Sequence, residues 1–408
     1  MSLIRYTRSK IVYFTPQWLK RLIYNVWRLY WKLKTKVLPD KYHVDPYAND
    51  GIILVNPENI IFAMKKEFDV FKFKGRVVSG NWDKEVMEFE KLDFFTSYKK
   101  KFEEKLQWEN TEYYQRVAEQ IKNGNFKWSC KNVEEFNKRC AEWDRLFEKI
   151  KKEGYKRGWH EDEVSVNIGR NGELIFNNGR HRLTFAKLLK TEEIPVKVTS
   201  RHKEWVAFKK EILEYSLNNK NRVYEKLTHP DLANIPSVHN GSRYDIINEH
   251  LTVKKGKLLD IGCHWGYFCH KFEEAGFECY CVEKSKLNLY FLKKLKEAEN
   301  RKFKIIPLSV FDIQSDVIRE CDVILALSVF HHFIKKESTY RKLIKFLQIL
   351  KGKEMFFEPH KSEESQMKKS YRNFNDDEFA EFIVQNSSFS KFEKIGTSEQ
   401  GRTLYKIY

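Results

Sequence analysis

Residues suited to binding a nucleotide stand at the start of the last third of the chain. The apolar run Lys257–Ile261 holds Asp260 and leads into Gly262, and Gly266 stands where a helical pattern begins. Glycines let a backbone approach a ligand closely, and a helix N-terminus offers free N–H groups. Glu283 closes the next strand pattern, 23 residues after Asp260, where a carboxylate can accept hydrogen bonds from both ribose hydroxyls. This spacing predicts a site for a nucleotide-like ligand.

These residues belong to a regular alternation of strand and helix patterns. The predicted strands are 257–261, 278–282, 303–308, 322–327, 354–357, 391–395 and 402–407. Helical patterns follow the first, second and fourth of these strands, so the right-handed crossover rule predicts a parallel, doubly wound α/β sheet. The last two strands are close enough to pair as a hairpin at one edge. We therefore predict a seven-stranded Rossmann-like domain over residues 242–408.

The same pattern resembles that of class I S-adenosylmethionine-dependent methyltransferases, over about residues 240–408. The matching elements are the Asp260–Gly266 loop, Glu283, Asp312 and the strand run that ends in Ser328 and the two histidines. The terminal hairpin is typical of this family and distinguishes it from dehydrogenases. The resemblance implies that S-adenosylmethionine is the cofactor. It also implies roles for single residues: Gly262 and Gly266 would face the methionine moiety, Glu283 the ribose and Asp312 the adenine amino group. The remaining cofactor-binding candidates are Asp260, Cys263 and Ser328.

Two adjacent histidines, His331 and His332, are the candidate catalytic residues. A sugar hydroxyl must lose its proton to accept a methyl group, and an imidazole could take it. Adjacent side chains rarely face the same way, so we expect only one of the two to face the pocket. A phosphate oxygen is already anionic and would need only a cation such as Arg372 or Arg402.

The strings SVFHH and GRTLYKIY are similar to those of methyltransferases of cell-surface glycan assembly, including kinase–methyltransferases that cap O-antigen chains. This resemblance implies a glycan or phosphoglycan acceptor. No metal site is expected, because the C-H-x4-C-H spacing of residues 263–270 fits no common zinc site.

The middle region, residues 50–215, contains a second candidate site. A strand at 163–168, a turn, a partner strand at 174–176 and a helix opened by Asn178 and Gly179 lead to a further strand at 193–198. Three residues of the helix start carry or can carry positive charge: Arg180, His181 and Arg182. Cations normally avoid this end of a helix dipole, so their presence here favours a phosphate-binding site.

This region resembles the ParB/sulfiredoxin superfamily, which has a G-x-x-R helix start and includes CTP-binding proteins and a free-serine kinase. The resemblance implies an α+β domain with a helical insertion at about 84–150. It assigns phosphate binding to Gly179, Arg180, His181 and Arg182, with a nucleotide (ATP or CTP) and Mg as possible ligands. Asn178 stands where related sequences often have Asp, which removes a carboxylate that kinase chemistry would use.

Residues 1–48 form a basic, aromatic segment, and residues 15–36 have the pattern of an amphipathic helix that opens at Thr15 and Pro16. Such a helix suits an anionic membrane surface, while the alternative is a stripe packed on the following domain. Residues 216–241 contain two prolines and several turn formers and are predicted to be a linker.

Composition limits the functional classes. Aromatic residues make up 15% of the 408, which excludes wholesale disorder. Seven scattered cysteines without a C-x-x-C pair indicate reduced thiols and a cytoplasmic protein, with peripheral attachment to the inner face of a membrane as a further expectation. The net charge of +18 indicates a polyanionic partner.

Three functional hypotheses follow. The leading one is an O-methyltransferase acting on a glycan or phosphoglycan, with a second domain that binds or forms a phosphate group. The second is a nucleic-acid methyltransferase that holds RNA or DNA on its basic N-terminal half. The third is a non-catalytic, nucleotide-sensing scaffold.

Overall fold

The computed structural model describes residues 45, 47, 52–65, 74–125, 127–158, 163–313 and 320–408. The predicted amphipathic helix at 15–36 lies outside these residues. The chain divides into two compact units, Met1–Phe208 and Lys209–Tyr408. No helix in the described ranges combines the length and the apolar character that crossing a membrane requires.

The first unit has a mixed seven-stranded sheet and several helices. Its strands are β1 (Ile52–Val55), β2 (Phe62–Met64), β3 (Arg76–Val78), β4 (Val86–Glu88), β5 (Val164–Ile168), β6 (Leu174–Asn178) and β7 (Ile194–His202). Its helices are α1 (Asp93–Phe102), α2 (Glu112–Lys122), α3 (Val133–Glu153), α4 (Arg180–Leu188) and α5 (Lys203–Leu217), the last of which contains the division between the units.

The sheet order in this unit is β1-β7-β5-β6-β2-β4, with β3 paired to β7. Strands β5 and β6 form the predicted antiparallel pair, and β7 returns parallel to β5 after helix α4. Helices α1 to α3 occupy most of the stretch predicted to be a helical insertion. The local elements predicted around the arginine-bearing helix start are therefore confirmed, whereas the resemblance to the ParB/sulfiredoxin superfamily stays a prediction.

The second unit is built from alternating strands and helices. Its strands are β8 (Val223–Glu225), β9 (Ser237–His239), β10 (Lys257–Ile261), β11 (Glu278–Val282), β12 (Lys304–Ile306), β13 (Val323–Leu327), β14 (Glu354–Glu358), β15 (Phe392–Thr397) and β16 (Thr403–Ile407). Its remaining helices are α6 (Ser242–His250), α7 (Tyr267–Glu274), α8 (Lys286–Ala298), α9 (Glu337–Ile349) and α10 (Asp376–Asn386).

Seven of these strands form one sheet in the order β12-β11-β10-β13-β14-β16-β15. The first five are parallel, and β16 runs antiparallel to both β14 and β15. This arrangement confirms the predicted doubly wound sheet with a hairpin at its edge. Apolar side chains pack on both faces, as buried parallel strands require. The carboxyl ends of β10 to β14 consequently meet at one edge of the sheet.

The segment 216–241, predicted to be a linker, belongs to the second unit. It contains the parallel pair β8 and β9, and its apolar side chains Val223, Leu227 and Leu232 are buried. The turn formers of this segment therefore separate two short strands instead of connecting two domains. Sequence patterns missed these strands because each has only three residues.

Candidate active site

A cavity of about 620 Å³ opens at the carboxyl edge of the second unit's sheet. It is lined by residues that follow all five of the parallel strands and by residues of the β8–β9 pair. Five of the predicted site residues lie on its wall: Gly262, Glu283, Ser328, His331 and His332. This is the place where doubly wound sheets bind their ligands.

Gly262 and Gly266 act differently in the loop after β10. Gly262 lies on the cavity wall with a φ of +73°, and a Cβ there would stand 2.9 Å from Val329 Cγ2. Gly266 begins helix α7, and a Cβ there would stand 2.5 Å from Leu292 Cδ1 in the core. Gly262 therefore keeps the wall open, while Gly266 allows helix and sheet to pack closely.

Asp260 and Cys263 lie behind this wall and do not line the cavity. Both side chains are buried. Burial raises the pKa of Asp260 to about 8, with the carboxylate of Glu225 adding to the rise and the guanidinium of Arg243 opposing it. Burial also raises the pKa of the Cys263 thiol to about 12. Cys263 is thus an un-ionised core side chain, and Asp260 is an acid that holds its proton near neutral pH.

Glu283 is held rigidly at the end of β11. Its Oε1 accepts hydrogen bonds from the backbone N–H groups of Lys284 and Ser285, both at 2.8 Å, and its Oε2 accepts one from Asn288 Nδ2 at 3.2 Å. A fixed carboxylate on the cavity wall fits the recognition of a ribose diol.

Asp312 does not lie on the cavity wall. It is exposed at the end of the short 3-10 helix Val310–Asp312, whereas Ser309 and Val310 do line the cavity. The predicted contact of Asp312 with adenine therefore remains a prediction.

Ser328 follows β13 with a φ of +54°, a backbone conformation that is uncommon for a residue with a side chain. Its hydroxyl donates a hydrogen bond to the carboxylate of Glu358 and accepts one from Arg402 Nη1 at 2.8 Å. Strained residues of this kind are concentrated at functional sites. Ser328 thus joins the cavity wall to polar groups beneath it.

Both histidines of the predicted pair line the cavity, although only one was expected to do so. They belong to the 3-10 helix Phe330–His332, in which a tighter turn brings their ring centroids within 4.0 Å. The ring of His331 is buried, whereas His332 is exposed. Burial lowers the pKa of His331 to about 2, and burial together with the charge of Lys335 lowers the pKa of His332 to about 4. Both imidazoles are therefore neutral at pH 7, and His332, the exposed one of the two, is the better placed to take up a proton.

A third histidine, His360, was not predicted as a site residue. It lies two residues beyond β14, lines the cavity, and stacks on His331 with 4.4 Å between ring centroids. Its Nε2 contacts the carboxylate of Glu364, which also pairs with Arg402. The rule that the ends of parallel strands meet at one edge could have identified His360 from the sequence.

The two arginines considered as phosphate ligands are placed differently. Arg402 lines the cavity, while Arg372 is absent from the wall and packs over the rings of Tyr340 and Tyr371. Arg402 is thus the one of the two that lies where an acceptor could bind.

A buried ion network lies beneath Ser328. Arg243 donates a hydrogen bond from Nη1 to Glu358 at 2.8 Å and another from Nη2 to Glu225. All three side chains are buried. No local sequence pattern indicates this network, because its members come from β8, α6 and β14.

The helix start in the first unit is surrounded by aromatic rings. Arg180 stands over the rings of Phe94 and Trp128, at 5.1 and 5.2 Å. His181 Nδ1 lies 2.5 Å from the hydroxyl of Tyr98, and its ring stacks on Trp143 at 4.4 Å. Burial, with the charges of the two neighbouring arginines, lowers the pKa of His181 to about 3.

His181 is therefore a neutral packed side chain rather than a cation. Gly179 opens the helix in a left-handed conformation, and Arg182 Nη1 has no hydrogen-bond partner in the part of the chain that the structure describes. Within the same described ranges, no group of three or more His, Cys, Asp or Glu side chains could hold a metal ion.

Comparison with known proteins identifies the chemistry of the second unit. Residues 259–349 match the family model described as a methyltransferase domain, a range that includes Gly262, Glu283 and both histidines. A search of curated proteins found no match.

Three solved structures illustrate the structural similarity. The bifunctional kinase-methyltransferase WbdD is 17% identical with a TM-score of 0.40, covering 48% of this chain and 45% of its own. The methyltransferase domain of bacterial CtHen1-CN is 15% identical with a TM-score of 0.32, covering 41% and 95%. TehB from Haemophilus influenzae is 17% identical with a TM-score of 0.31, covering 41% and 64%. The similarity thus spans less than half of WbdD.

The match shows that the second unit contains a methyltransferase domain, whose methyl donor is S-adenosylmethionine. The cavity fits that cofactor, because Gly262 keeps the wall free of a Cβ and Glu283 presents a fixed carboxylate.

Proposed function

We propose that the second unit methylates an oxygen atom of a glycan or phosphoglycan acceptor, with His332 as the general base. The observation that carries this proposal is the exposed, neutral imidazole of His332 on the wall of the cavity that also contains Gly262 and Glu283. S-adenosylmethionine supplies an electrophilic methyl group when bound. The protein's own part is to orient the two substrates and to take up the acceptor's proton.

The neighbours of His332 suit it to accept a proton rather than donate one. Its lowered pKa keeps the imidazole neutral throughout the physiological range. His331 packs against it, and the stack continues to His360 and the carboxylate of Glu364. This stack holds the base in place, as an effective general base requires.

The ionisation state of the acceptor decides whether a base is needed. A sugar hydroxyl must be deprotonated, whereas a phosphate oxygen would depend on Arg402 for charge compensation. Replacing His332 by Ala should reduce the methylation rate of a hydroxyl acceptor by about 10²–10⁴-fold. The same change should leave a phosphate acceptor almost unaffected, and Arg402→Ala should then have the larger effect. His250→Ala, which alters a histidine outside the cavity wall, is the matched control.

The acceptor class is tested by transfer of label from methyl-tritiated S-adenosylmethionine into a whole-cell extract. The products are separated into glycolipid, nucleic-acid, protein and small-molecule fractions, with His332→Ala and Asp260→Ala as comparisons. Label in the glycolipid fraction that Asp260→Ala abolishes supports the proposal. Label that nuclease releases contradicts it and favours the nucleic-acid methyltransferase. Donor binding without any transfer would favour the non-catalytic scaffold.

We further propose that the first unit is a ParB/sulfiredoxin-like domain that binds the phosphate of a nucleotide or of the acceptor. The support is the helix start at Gly179 and the Arg182 Nη1 atom without a hydrogen-bond partner among the residues described. Binding of ATP and CTP with Mg is tested by calorimetry on the full chain. We expect Arg182→Ala to abolish binding and Lys190→Ala, two residues beyond the end of the same helix, to preserve it. Turnover of a nucleotide would extend the proposal to a kinase.

The proposed location is the cytoplasm, with the basic segment 15–36 attached to the inner face of an anionic membrane. The support is the sequence pattern of that segment and the net charge of +18. Flotation of the full chain with vesicles of anionic or neutral lipids is the test. Equal flotation with both kinds of vesicle, or with neither, would contradict the proposal.

A further inference from the structure

The buried network beneath the cavity contains more acidic than basic groups. Three carboxyl groups, those of Glu225, Asp260 and Glu358, share this region with one buried guanidinium, that of Arg243. Glu225 Oε2 and Glu358 Oε1 have no hydrogen-bond partner among the described residues. One guanidinium cannot compensate three carboxylates, so Asp260 holds its proton near neutral pH as long as no further cation is present.

The carboxyl groups of the network lie close to residues of the cavity wall. Ser328 lines the cavity, and its hydroxyl donates a hydrogen bond directly to Glu358. Asp260 lies two residues before Gly262, which is also on the wall. Glu225 directly follows Tyr224, which lines the cavity as well. A charge in the cavity is therefore separated from these carboxyl groups by about one layer of side chains, and little water screens the interaction.

The reaction removes the positive charge from the donor's sulfur. The acceptor oxygen forms a bond to the methyl carbon as the methyl–sulfur bond breaks, and the electron pair of the broken bond stays on sulfur. The sulfonium becomes the uncharged thioether of S-adenosylhomocysteine, while the acceptor's proton passes to His332, which is exposed, and from there to solvent. Donor and product thus differ by one unit of charge at nearly the same shape.

We infer that Glu225, acting with Asp260 and Glu358, makes the site select the positively charged methyl donor over its uncharged product. This inference rests on the proposed use of S-adenosylmethionine in this cavity. The carboxyl groups attract the sulfonium before transfer and lose that attraction once the methyl group has left. Glu225 is therefore a specificity-determining residue, and the network favours release of the product.

The protonation of these groups follows from their surroundings. Burial raises the pKa of Glu225 to about 7, with Arg243 opposing the rise and Glu358 adding to it. Among the described residues, the charged or titratable groups that face Glu225 or Asp260 are Arg243, Glu283, Glu358, Glu399, Tyr224, Tyr267, Cys263, Cys269, Cys279 and Cys281. A cation in the cavity lowers the pKa of both carboxyl groups, so binding of the donor should release protons near neutral pH.

The test compares binding of S-adenosylmethionine and S-adenosylhomocysteine to the full chain by calorimetry. Titrations at pH 7.5 in two buffers of different ionisation enthalpy give the number of protons released. We compare the unaltered protein with Glu225→Gln, in which Arg243 keeps its bond to Glu358. Titration of the ligand's own amino group is common to both proteins and cancels in the comparison.

We expect Glu225→Gln to weaken binding of S-adenosylmethionine by about tenfold, which corresponds to one pKa unit of coupling, and to leave S-adenosylhomocysteine almost unaffected. The same substitution should also reduce the number of protons released when S-adenosylmethionine binds. Glu354→Gln is the matched control: Glu354 is a buried carboxylate on the same strand as Glu358, but it is bonded to Thr252 and Lys406 at the other end. It should preserve the affinity ratio.

An equal affinity ratio and equal proton release in Glu225→Gln and the unaltered protein would overturn the inference. If Glu225→Gln unfolds, as thermal unfolding without ligand would reveal, Asp260→Asn provides the same comparison. Failure of the unaltered protein to bind either ligand would instead contradict the cofactor assignment itself.

Discussion

At the scale of single residues, Gly262 is the position where the wall of the cofactor cavity is most sensitive to an added atom. We expect Gly262→Ala to weaken binding of S-adenosylmethionine by tenfold or more, because the new Cβ would lie 2.9 Å from Val329 Cγ2. The left-handed backbone should also lower the free energy of unfolding by about 1 kcal/mol. Calorimetric titration and urea unfolding measure the two effects.

Gly276→Ala is the matched control for this change. Gly276 has a φ of +92°, but a Cβ there would meet nothing within 4 Å. It should therefore show the loss of stability without the loss of binding. If Gly262→Ala binds the donor as well as Gly276→Ala does, Gly262 has no role in the cavity wall.

The buried ring of His331 should make stability depend on pH. Burial and neighbouring cations lower its pKa from 6.5 to about 2, so below pH 6.5 the unfolded chain binds a proton that the folded chain does not. The contribution of neutral His331 to the free energy of unfolding is therefore complete above pH 6.5 and is lost as the pH falls toward 2. Between pH 7 and pH 5 the loss from this one group is about 2 kcal/mol.

His331→Phe keeps an aromatic ring in the stack and removes the titration. Urea unfolding at pH 7 and pH 5 should therefore show a decrease smaller by about 2 kcal/mol in the variant than in the unaltered protein. Equal decreases would mean that His331 is protonated in the folded state or is solvated there.

At the scale of secondary structure elements, sequence patterns predicted the strands and the loop whose structure depends on residues close together in the chain. The strands β10, β11, β13, β14 and β16 and the loop between β10 and α7 follow from apolar runs and glycines that stand within a few residues of one another. The crossover rule then predicted their parallel arrangement. The strands β8 and β9 were not predicted, because such short strands are stabilised by burial within the unit and not by their own sequence.

The candidate site was predictable only where it follows the strand ends. Gly262, Glu283, Ser328 and the two histidines come directly after predicted strands, so sequence reasoning found them. The Arg243 network joins residues 18 and 115 positions apart in the chain, and such pairing has no local signature. Asp312 follows β12 as predicted but is exposed and is not among the residues that line the cavity, so its contact with adenine stays a prediction.

Helix α10 offers an element-scale prediction about stability. Asn375 and Glu378 form a capping box, in which Asn375 Oδ1 accepts from Glu378 N–H at 3.0 Å and Glu378 Oε2 accepts from Asn375 N–H at 2.9 Å. Asn375→Ala should lower the free energy of unfolding by about 1 kcal/mol, because it removes the partner of a backbone donor at the helix start.

Asn373→Ala is the control for this change. Asn373 lies outside the cap and donates a single exposed hydrogen bond to Ser362 O. Urea unfolding should detect a loss of less than about 0.5 kcal/mol for it, as is usual for surface substitutions. Similar losses for both variants would mean that the cap does not stabilise α10.

At the scale of the whole molecule, the net charge of +18 is compatible with two kinds of anionic partner, a membrane surface and a nucleic acid. A membrane-bound methyltransferase and a nucleic-acid methyltransferase both need positive charge, but they use it differently. Binding to duplex DNA depends on release of counterions, so a footprint of six phosphates would lose about three orders of magnitude in affinity between 50 and 200 mM salt. An amphipathic segment also buries apolar side chains, and that contribution survives added salt.

We therefore expect the full chain to remain bound to anionic vesicles at 200 mM salt while it dissociates from DNA of random sequence. Trp18→Ser together with Trp27→Ser, which keep the charge and remove apolar area, should release it from vesicles and leave DNA binding unchanged. Arg21→Glu together with Lys32→Glu should weaken both. If instead added salt weakens vesicle binding as steeply as DNA binding, residues 15–36 act by charge alone. That result would contradict attachment to a membrane and favour the nucleic-acid methyltransferase.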